Sequence, residues 1–160
     1  MMELAKQVAK HLRDVHVGDN WTAVNLKNTL SGITWQQATT KINDLNTIAA
    51  LVFHINYYIS AVTKVLQGQP LKASDKFSFD LPPIKSEQDW ENLKEKVFAE
   101  AEQFATEIEK LSDEQLYKDF EDGKYGNYYR NLNGITEHTH YHLGQIMILK
   151  KILSASGETT

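Results

Sequence analysis

The chain has 160 residues, which is the length of about one domain. Its 17 lysines and arginines are outnumbered by 21 aspartates and glutamates, and no stretch has the basic cluster that binding to nucleic-acid phosphates requires. Cysteine is absent, which excludes disulfides, thiolate metal ligands and a cysteine nucleophile and favours a reducing compartment. Residues 1–7 lack the basic and apolar segments of a secretory signal, so we expect a cytoplasmic protein.

Apolar residues repeat with helical spacing in four long segments, and no segment alternates convincingly with the period of a β-strand. The sequence therefore predicts an all-α protein. The first predicted helix covers residues 3–17 and ends at Gly18, because glycine accepts the positive φ of a helix C-terminus.

A connector over residues 19–43 follows the first helix. Within it, Thr34 and Gln37 have the spacing of a capping box, which predicts a short helical turn. We expect the side chains of Trp21 and Trp35 to hold this connector against the rest of the protein.

The second predicted helix, residues 45–66, has the clearest apolar repeat, with the alternating steps of three and four that helices packed nearly antiparallel share. Asn43 or Asp44 can cap it. Residues 45–63 contain no Asp, Glu, Lys or Arg and are long enough to cross a bilayer. Because several of them, including His54, are polar and costly in lipid, we expect a buried helix of a soluble protein and no membrane span.

Residues 71–85 form a second long connection, which is too long for a tight hairpin. Its Phe77, Phe79 and Leu81 can lie along the other helices. The segment therefore predicts a crossover rather than a turn.

The third predicted helix, residues 86–111, begins with Ser86 as its N-cap. The fourth covers residues 128–153. Four helices with longer connections after the first and second predict a four-helix bundle that forms one domain over residues 1–153. Residues 154–160 are expected to be a disordered tail.

Three of the six histidines lie on inward-facing stripes of the predicted helices. His138 and His142 are four residues apart, so their imidazoles lie on one helix face and can bind the same ion. His54 lies on a buried stripe of the second helix. Three neutral imidazoles leave a divalent ion with open coordination positions, which suits Lewis-acid chemistry. The alternative is that each is a hydrogen-bonded core residue, and the sequence does not tell whether the second and fourth helices are neighbours.

Other side chains near these histidines have two interpretations. Tyr58 lies one turn after His54. It can act as a proton donor or as a residue that supports a metal-binding histidine, although core packing is the commoner role. Gln145 can orient a ligand or substrate, or simply pack and form hydrogen bonds. Gly144 in mid-helix predicts the close approach of a neighbouring helix. Glu137 is expected to face solvent or a dimer interface.

The remaining histidines are weaker candidates for a site. His140 points away from the stripe that carries His138, and His11 has no partner at a useful spacing. We expect His16, at the end of the first helix, to interact favourably with the helix dipole.

The region around the histidines resembles a known family. Residues 133–146 are similar to the signature His-x-x-x-His-x-Gly-Gln-Ile of the DinB-like superfamily, which includes the YfiT-type metal-dependent hydrolases. In this chain the pattern runs from His138 to Ile146. Residues 51–58, followed by residues 66–70, resemble the second helix of that family and its ending.

The resemblance implies a four-helix bundle that is often a homodimer and holds nickel, zinc or a similar divalent ion on His54, His138 and His142. It implies no single reaction, because the family includes thiol transferases and isomerases that use bacterial low-molecular-weight thiols. One hypothesis is therefore a metal-dependent hydrolase or thiol-dependent transferase that acts on a small electrophile. The alternative is a non-enzymatic, stress-associated metal-binding bundle, and a metal-free bundle is a third hypothesis.

Overall fold

The computed structural model describes residues 3–157, which form seven α-helices and no β-strand. The helices are α1 (Leu4–His16), α2 (Leu26–Leu30), α3 (Trp35–Thr39), α4 (Ile48–Leu66), α5 (Glu87–Glu109), α6 (Asp113–Leu116) and α7 (Tyr128–Gly157). A short 3-10 helix, Asp75–Phe77, lies in the connection between α4 and α5. The predicted all-α class is confirmed.

The four long helices form a closed ring. Helix α1 packs against α5 and α7, and α4 packs against the same two helices, so the order around the ring is α1, α5, α4, α7. This arrangement confirms the predicted four-helix bundle. It also makes α4 and α7 neighbours, which the sequence left undecided.

Two helix ends differ from the prediction. Helix α4 begins at Ile48, because the Thr47 hydroxyl accepts a hydrogen bond from the Ala50 amide at 3.1 Å and caps the helix. The prediction of Asn43 or Asp44 as the cap was wrong. Helix α7 continues past the predicted end, so residues 154–157 of the expected tail are helical, while residues 158–160 lie outside the described part of the chain.

The connector after α1 is held by polar groups as well as by apolar packing. The Asn20 side-chain amide donates to the carbonyls of Asp14 and Val24 at 3.0 and 2.7 Å, which ties the connector to the end of α1. Trp35 packs partly buried against the core, as expected. Trp21 does not, since its side chain is 89% exposed.

Helix α4 is the one helix in residues 3–157 that is long and apolar enough to cross a membrane, with a mean hydropathy of 1.3. Two thirds of its apolar window is buried by the rest of the protein. Its apolar surface therefore forms the core of the bundle, in agreement with the expected buried helix.

His16 lies in the core and not at an exposed helix end. It is fully buried, and its Nδ1 donates a hydrogen bond to the Leu12 carbonyl at 2.8 Å. Burial lowers the pKa of His16 to about 4, so the ring is neutral at physiological pH. The expected interaction of a charged His16 with the helix dipole was wrong, because the ring is desolvated.

Trp90 and Trp21 provide a matched test of the core. Trp90 is fully buried and its Nε1 donates to the Ile33 carbonyl at 2.9 Å, so it joins α5 to the connector. We expect Trp90→Phe to lower the free energy of unfolding by about 2–4 kcal/mol, because it leaves a void and an unpaired carbonyl. Trp21→Phe should change it by less than about 0.5 kcal/mol. Urea unfolding measures both, and equal effects would contradict this description of the core.

His16 makes stability depend on pH. Its folded-state pKa of about 4 lies below the ordinary value of 6.5, so the unfolded chain binds the extra proton between these values. We expect the free energy of unfolding to fall by on the order of 2 kcal/mol from this residue alone between pH 7 and pH 5. His16→Asn keeps a side-chain donor but does not titrate, so urea unfolding of this variant should depend less on pH. An unchanged pH dependence would show that His16 is not responsible.

Candidate metal centre

Three histidines from α4 and α7 meet inside the ring. The Nε2 atom of His138 lies 3.0 Å from the Nε2 of His54 and 3.0 Å from the Nε2 of His142. The three ligand atoms lie within 4.8 Å of one another. His54 and His142 are buried and His138 is half-buried. The structure thus brings His54 together with His138, which lies 84 residues further along the chain, and with His142 one turn beyond it.

Two of these imidazoles are oriented by hydrogen bonds from their Nδ1 atoms. The Nδ1 of His54 lies 3.3 Å from the Ser78 carbonyl oxygen, and the Nδ1 of His142 lies 2.7 Å from the Gln145 Oε1. Because both oxygens are acceptors, each Nδ1 carries the proton. The Nε2 atoms of both rings therefore present lone pairs toward His138.

This arrangement fits a bound cation. The Nε2 of His138 faces two lone pairs, and even a protonated Nε2 can donate to only one of them. A cation in the middle accepts electron density from all three nitrogens. Two nitrogens that bind one ion at about 2.1 Å lie about 3.0 Å apart at a right angle and about 3.4 Å apart at a tetrahedral angle. The two spacings of 3.0 Å, from the Nε2 of His138 to those of His54 and His142, lie in this range, and imidazole donors suit zinc or nickel.

Burial and charge repulsion favour the neutral form of two of the three rings. Burial, followed by the repulsion of His142 and His54, lowers the pKa of His138 to about 4. Burial, followed by the repulsion of His142, also lowers the pKa of His54. At physiological pH these two rings are therefore neutral, so a metal ion does not have to displace a second proton from either of them.

Aromatic side chains surround the cluster. The ring of Phe79 stacks on His54 with a centroid distance of 3.9 Å and an angle of 7° between the planes. Tyr58 presents its ring edge-on to His54 and His138, at 5.3 and 5.2 Å. The imidazoles are thus shielded by apolar surface, which lowers the local polarity around the three nitrogens.

Tyr58 also borders a cavity of about 420 Å³. Its hydroxyl donates a hydrogen bond to the Oδ1 of Asp75 at 2.5 Å. Burial, together with this bond, raises the pKa of Tyr58 to about 12, so the hydroxyl keeps its proton. Apolar residues supply much of the remaining wall, among them Val62, Leu71, Phe120 and Ile135.

The structure also resolves the other interpretations. Gln145 accepts a hydrogen bond from His142 and thereby orients that ring, which agrees with the hydrogen-bonding role predicted for it. His140 bonds the Thr136 carbonyl and does not belong to the cluster. No neighbouring helix of the bundle approaches Gly144, since a Cβ added there would meet no atom of the described residues within 4 Å. The prediction of close packing at Gly144 was wrong within this chain.

Sequence reasoning missed the contributions of Ser78 and Asp75. Ser78 acts through its backbone carbonyl, which every residue has, so no residue type could have revealed it. Asp75 reaches Tyr58 from 17 residues away, in a connection without a helical repeat. Phe79 was expected only to lie along the bundle, and its stacking on His54 depends on the path of the crossover.

The hydrogen bond from His142 to Gln145 leads to a test by substitution. We expect Gln145→Ala to weaken the affinity for a divalent ion by about 10- to 100-fold, because His142 loses the acceptor that orients it. Gln145→Glu keeps an acceptor and should retain affinity within about 10-fold. Competition with a chromophoric chelator for Zn²⁺ measures both variants. Equal affinities for wild type and Gln145→Ala would show that this bond does not position the ring.

One of three comparisons with known proteins gives a match. The family model of the DinB superfamily matches residues 7–146, a segment that includes all three clustered histidines. Comparison with curated proteins and with solved structures gives no match. Since the family model covers well over half of the chain, the protein belongs to the DinB superfamily.

Proposed function

We propose that this protein is an enzyme that uses a divalent metal ion, nickel or zinc, held by His54, His138 and His142. The observation that carries the proposal is the convergence of three Nε2 atoms against the ring of Tyr58, whose side chain also lines a cavity of about 420 Å³. A non-enzymatic metal site needs no such space. A cavity of this size favours a small-molecule substrate over a purely structural ion.

The composition of the ligand set supports a catalytic ion. Structural zinc sites are closed by four protein ligands, whereas catalytic sites have three and keep a position open. In the described residues the metal-binding group consists of three histidines and includes no carboxylate. The ion would supply Lewis acidity, which lowers the pKa of a bound water or thiol toward neutrality.

The surrounding residues would orient the reactants. Tyr58 keeps its hydroxyl proton and contacts both the histidines and the cavity, so it can donate a hydrogen bond to an oxygen of the substrate in place of Asp75. In the free protein Asp75 accepts the hydrogen bond of that hydroxyl and thereby fixes its direction. Phe79 covers one face of His54 and excludes water from it. Tyr58 therefore acts as a donor and not as a base.

The nucleophile would come from outside the chain. Because the protein has no cysteine, a thiol nucleophile must be a cosubstrate such as a low-molecular-weight thiol, and the other choice is water. A cytoplasmic location, which we infer from the composition, supplies such thiols. The apolar walls of the cavity suit a small electrophile with an apolar body. The proposed reaction is thus thiol transfer or hydrolysis at a small electrophilic substrate.

The test compares two histidines on α7. Protein purified without added metal is analysed for bound metal, and turnover is measured with a thiol plus an aromatic electrophile and with an activated ester, before and after chelation. We expect His142→Ala to lose bound metal and about 100-fold or more of turnover. His140→Ala removes an imidazole two residues away that lies outside the cluster, and it should retain both.

Two results would contradict the proposal. Turnover that is indifferent to chelation and to His142→Ala would exclude a metal-dependent reaction at this site. Bound metal with no turnover of either substrate class, together with a melting temperature that falls on chelation, would favour the structural metal-binding bundle instead.

A further inference from the structure

A second large cavity lies between α1 and α7. In the ring of helices α7 lies between α1 and α4, and the metal centre is on the side toward α4, so this cavity is on the other side of α7. Its volume is about 780 Å³, within the range of small-molecule sites. Its walls come from α1 through His11 and Asp14, from α7 through Thr136 and His140, and from the turn after α1 through residues 19–22. We call it the α1–α7 cavity.

Two buried polar atoms at this seam have no hydrogen-bond partner among the described residues. One is the hydroxyl oxygen of Thr136, a residue of the cavity wall. The other is the Nε2 of His16, a residue that is 1% exposed; because its Nδ1 donates to the Leu12 carbonyl, the Nε2 is an acceptor. Burial lowers the pKa of His16 and repulsion from His140 adds to this effect, so these two rings lie close together. Buried polar atoms are normally paired, so the seam calls for a partner from outside the chain, and His16 requires a donor.

The carboxylates on the cavity wall favour a positively charged ligand. Asp14 and Asp19 line the cavity, whereas no lysine or arginine of the described residues does. The Oδ2 of Asp14 pairs with Lys10, while Asp19 is exposed and forms no ion pair in the described part of the chain. The Oδ1 of Asp14 lies against Gly18, where a Cβ would approach it to 2.7 Å, so glycine lets the carboxylate stay in this position. Carboxylates bind N–H donors most strongly when the donor is a cation.

Trp21 adds an aromatic surface to the α1–α7 cavity. Its side chain lines the cavity and is 89% exposed, so it contributes little to the core. The turn that carries Trp21 is held by Asn20, whose Oδ1 accepts from the Thr22 amide at 3.0 Å while its Nδ2 ties the connector to α1. A single exposed aromatic residue needs no explanation. An indole that shares a cavity with two carboxylates, however, is suited to an organic cation, because the ring face attracts positive charge.

We propose that the α1–α7 cavity is a second ligand site, which binds a small organic ammonium ion with an aromatic or apolar body. The ammonium group lies between the carboxylates of Asp14 and Asp19 and supplies the N–H donors that the seam lacks, and the body of the ligand lies against the indole of Trp21. The site goes beyond the proposed function, because it shares no residue with the metal centre or with the cavity beside Tyr58.

The first test measures the binding of 2-phenylethylammonium to the full chain by isothermal titration calorimetry at neutral pH. We expect it to bind at least about 10-fold more tightly than 2-phenylethanol, which has the same body but no charge. Asp19→Asn should weaken binding of the ammonium ion by about 5-fold or more. The control, Asp44→Asn, removes the same charge from an exposed residue outside the cavity and should retain the affinity. Equal binding of the two probes, no binding of the ammonium ion, or an unchanged affinity in Asp19→Asn would overturn the proposal.

The second test locates the probe through tryptophan fluorescence. Because the Trp21 side chain is 89% exposed, we expect 2-phenylethylammonium to change its emission. Trp21→Leu keeps the other two tryptophans, and it should lose this change and bind the probe about 3- to 30-fold more weakly. Tyr117→Leu removes an aromatic side chain that is 64% exposed and lies outside the cavity, so it should behave like wild type. An emission change that persists in Trp21→Leu would contradict the proposed position of the ligand.

A final measurement separates this site from the metal centre. An amine that loses its proton can coordinate a metal ion, so the titration is repeated after chelation and with His142→Ala. We expect the affinity for 2-phenylethylammonium to stay within about 2-fold in both cases, because the α1–α7 cavity contains none of the three clustered histidines. Loss of binding in either case would place the probe at the metal centre and overturn this inference, while the proposed function would stand.

Discussion

The convergence of three imidazole nitrogens between α4 and α7 is the interaction on which the rest of the site depends. The Nε2 of His138 can donate to only one of the two nitrogens that lie 3.0 Å from it, so hydrogen bonds among the rings do not hold all three together and the surrounding fold must do so. The closed ring of helices provides that constraint, because α4 is packed against α5 as well as against α7. Burial completes the effect by lowering the pKa of His54 and His138, which keeps them available to a metal ion.

The long connection after α4 is part of the site as well as a link between helices. It places the Ser78 carbonyl at the Nδ1 of His54, the Phe79 ring on the imidazole face, and the Asp75 carboxylate at the Tyr58 hydroxyl. A tight hairpin between α4 and α5 would leave His54 without its acceptor. The connection is therefore long enough to supply these three contacts to the site.

Helix α7 has an inner face and an outer face, because its successive residues point in different directions. His138 and His142 face the interior, where His142 is held by Gln145, while Glu137 and Tyr141, one residue before each, face outward. The imidazoles of the proposed metal site are enclosed by the bundle, whereas the residues before them are exposed. The 3.6-residue period of the helix therefore separates the proposed chemistry from the outer surface of α7.

The sequence by itself determined the all-α class, the four long helices and the inward position of His54, His138 and His142, because helical periodicity is a local property. It also predicted that Tyr58 and Gln145 lie near these histidines. Only the tertiary structure decided that α4 lies beside α7, that Ser78 and Asp75 contribute, and that Trp21 is exposed while His16 is buried. These features depend on the order of helices around the ring and on the paths of two connections, and no local pattern encodes either.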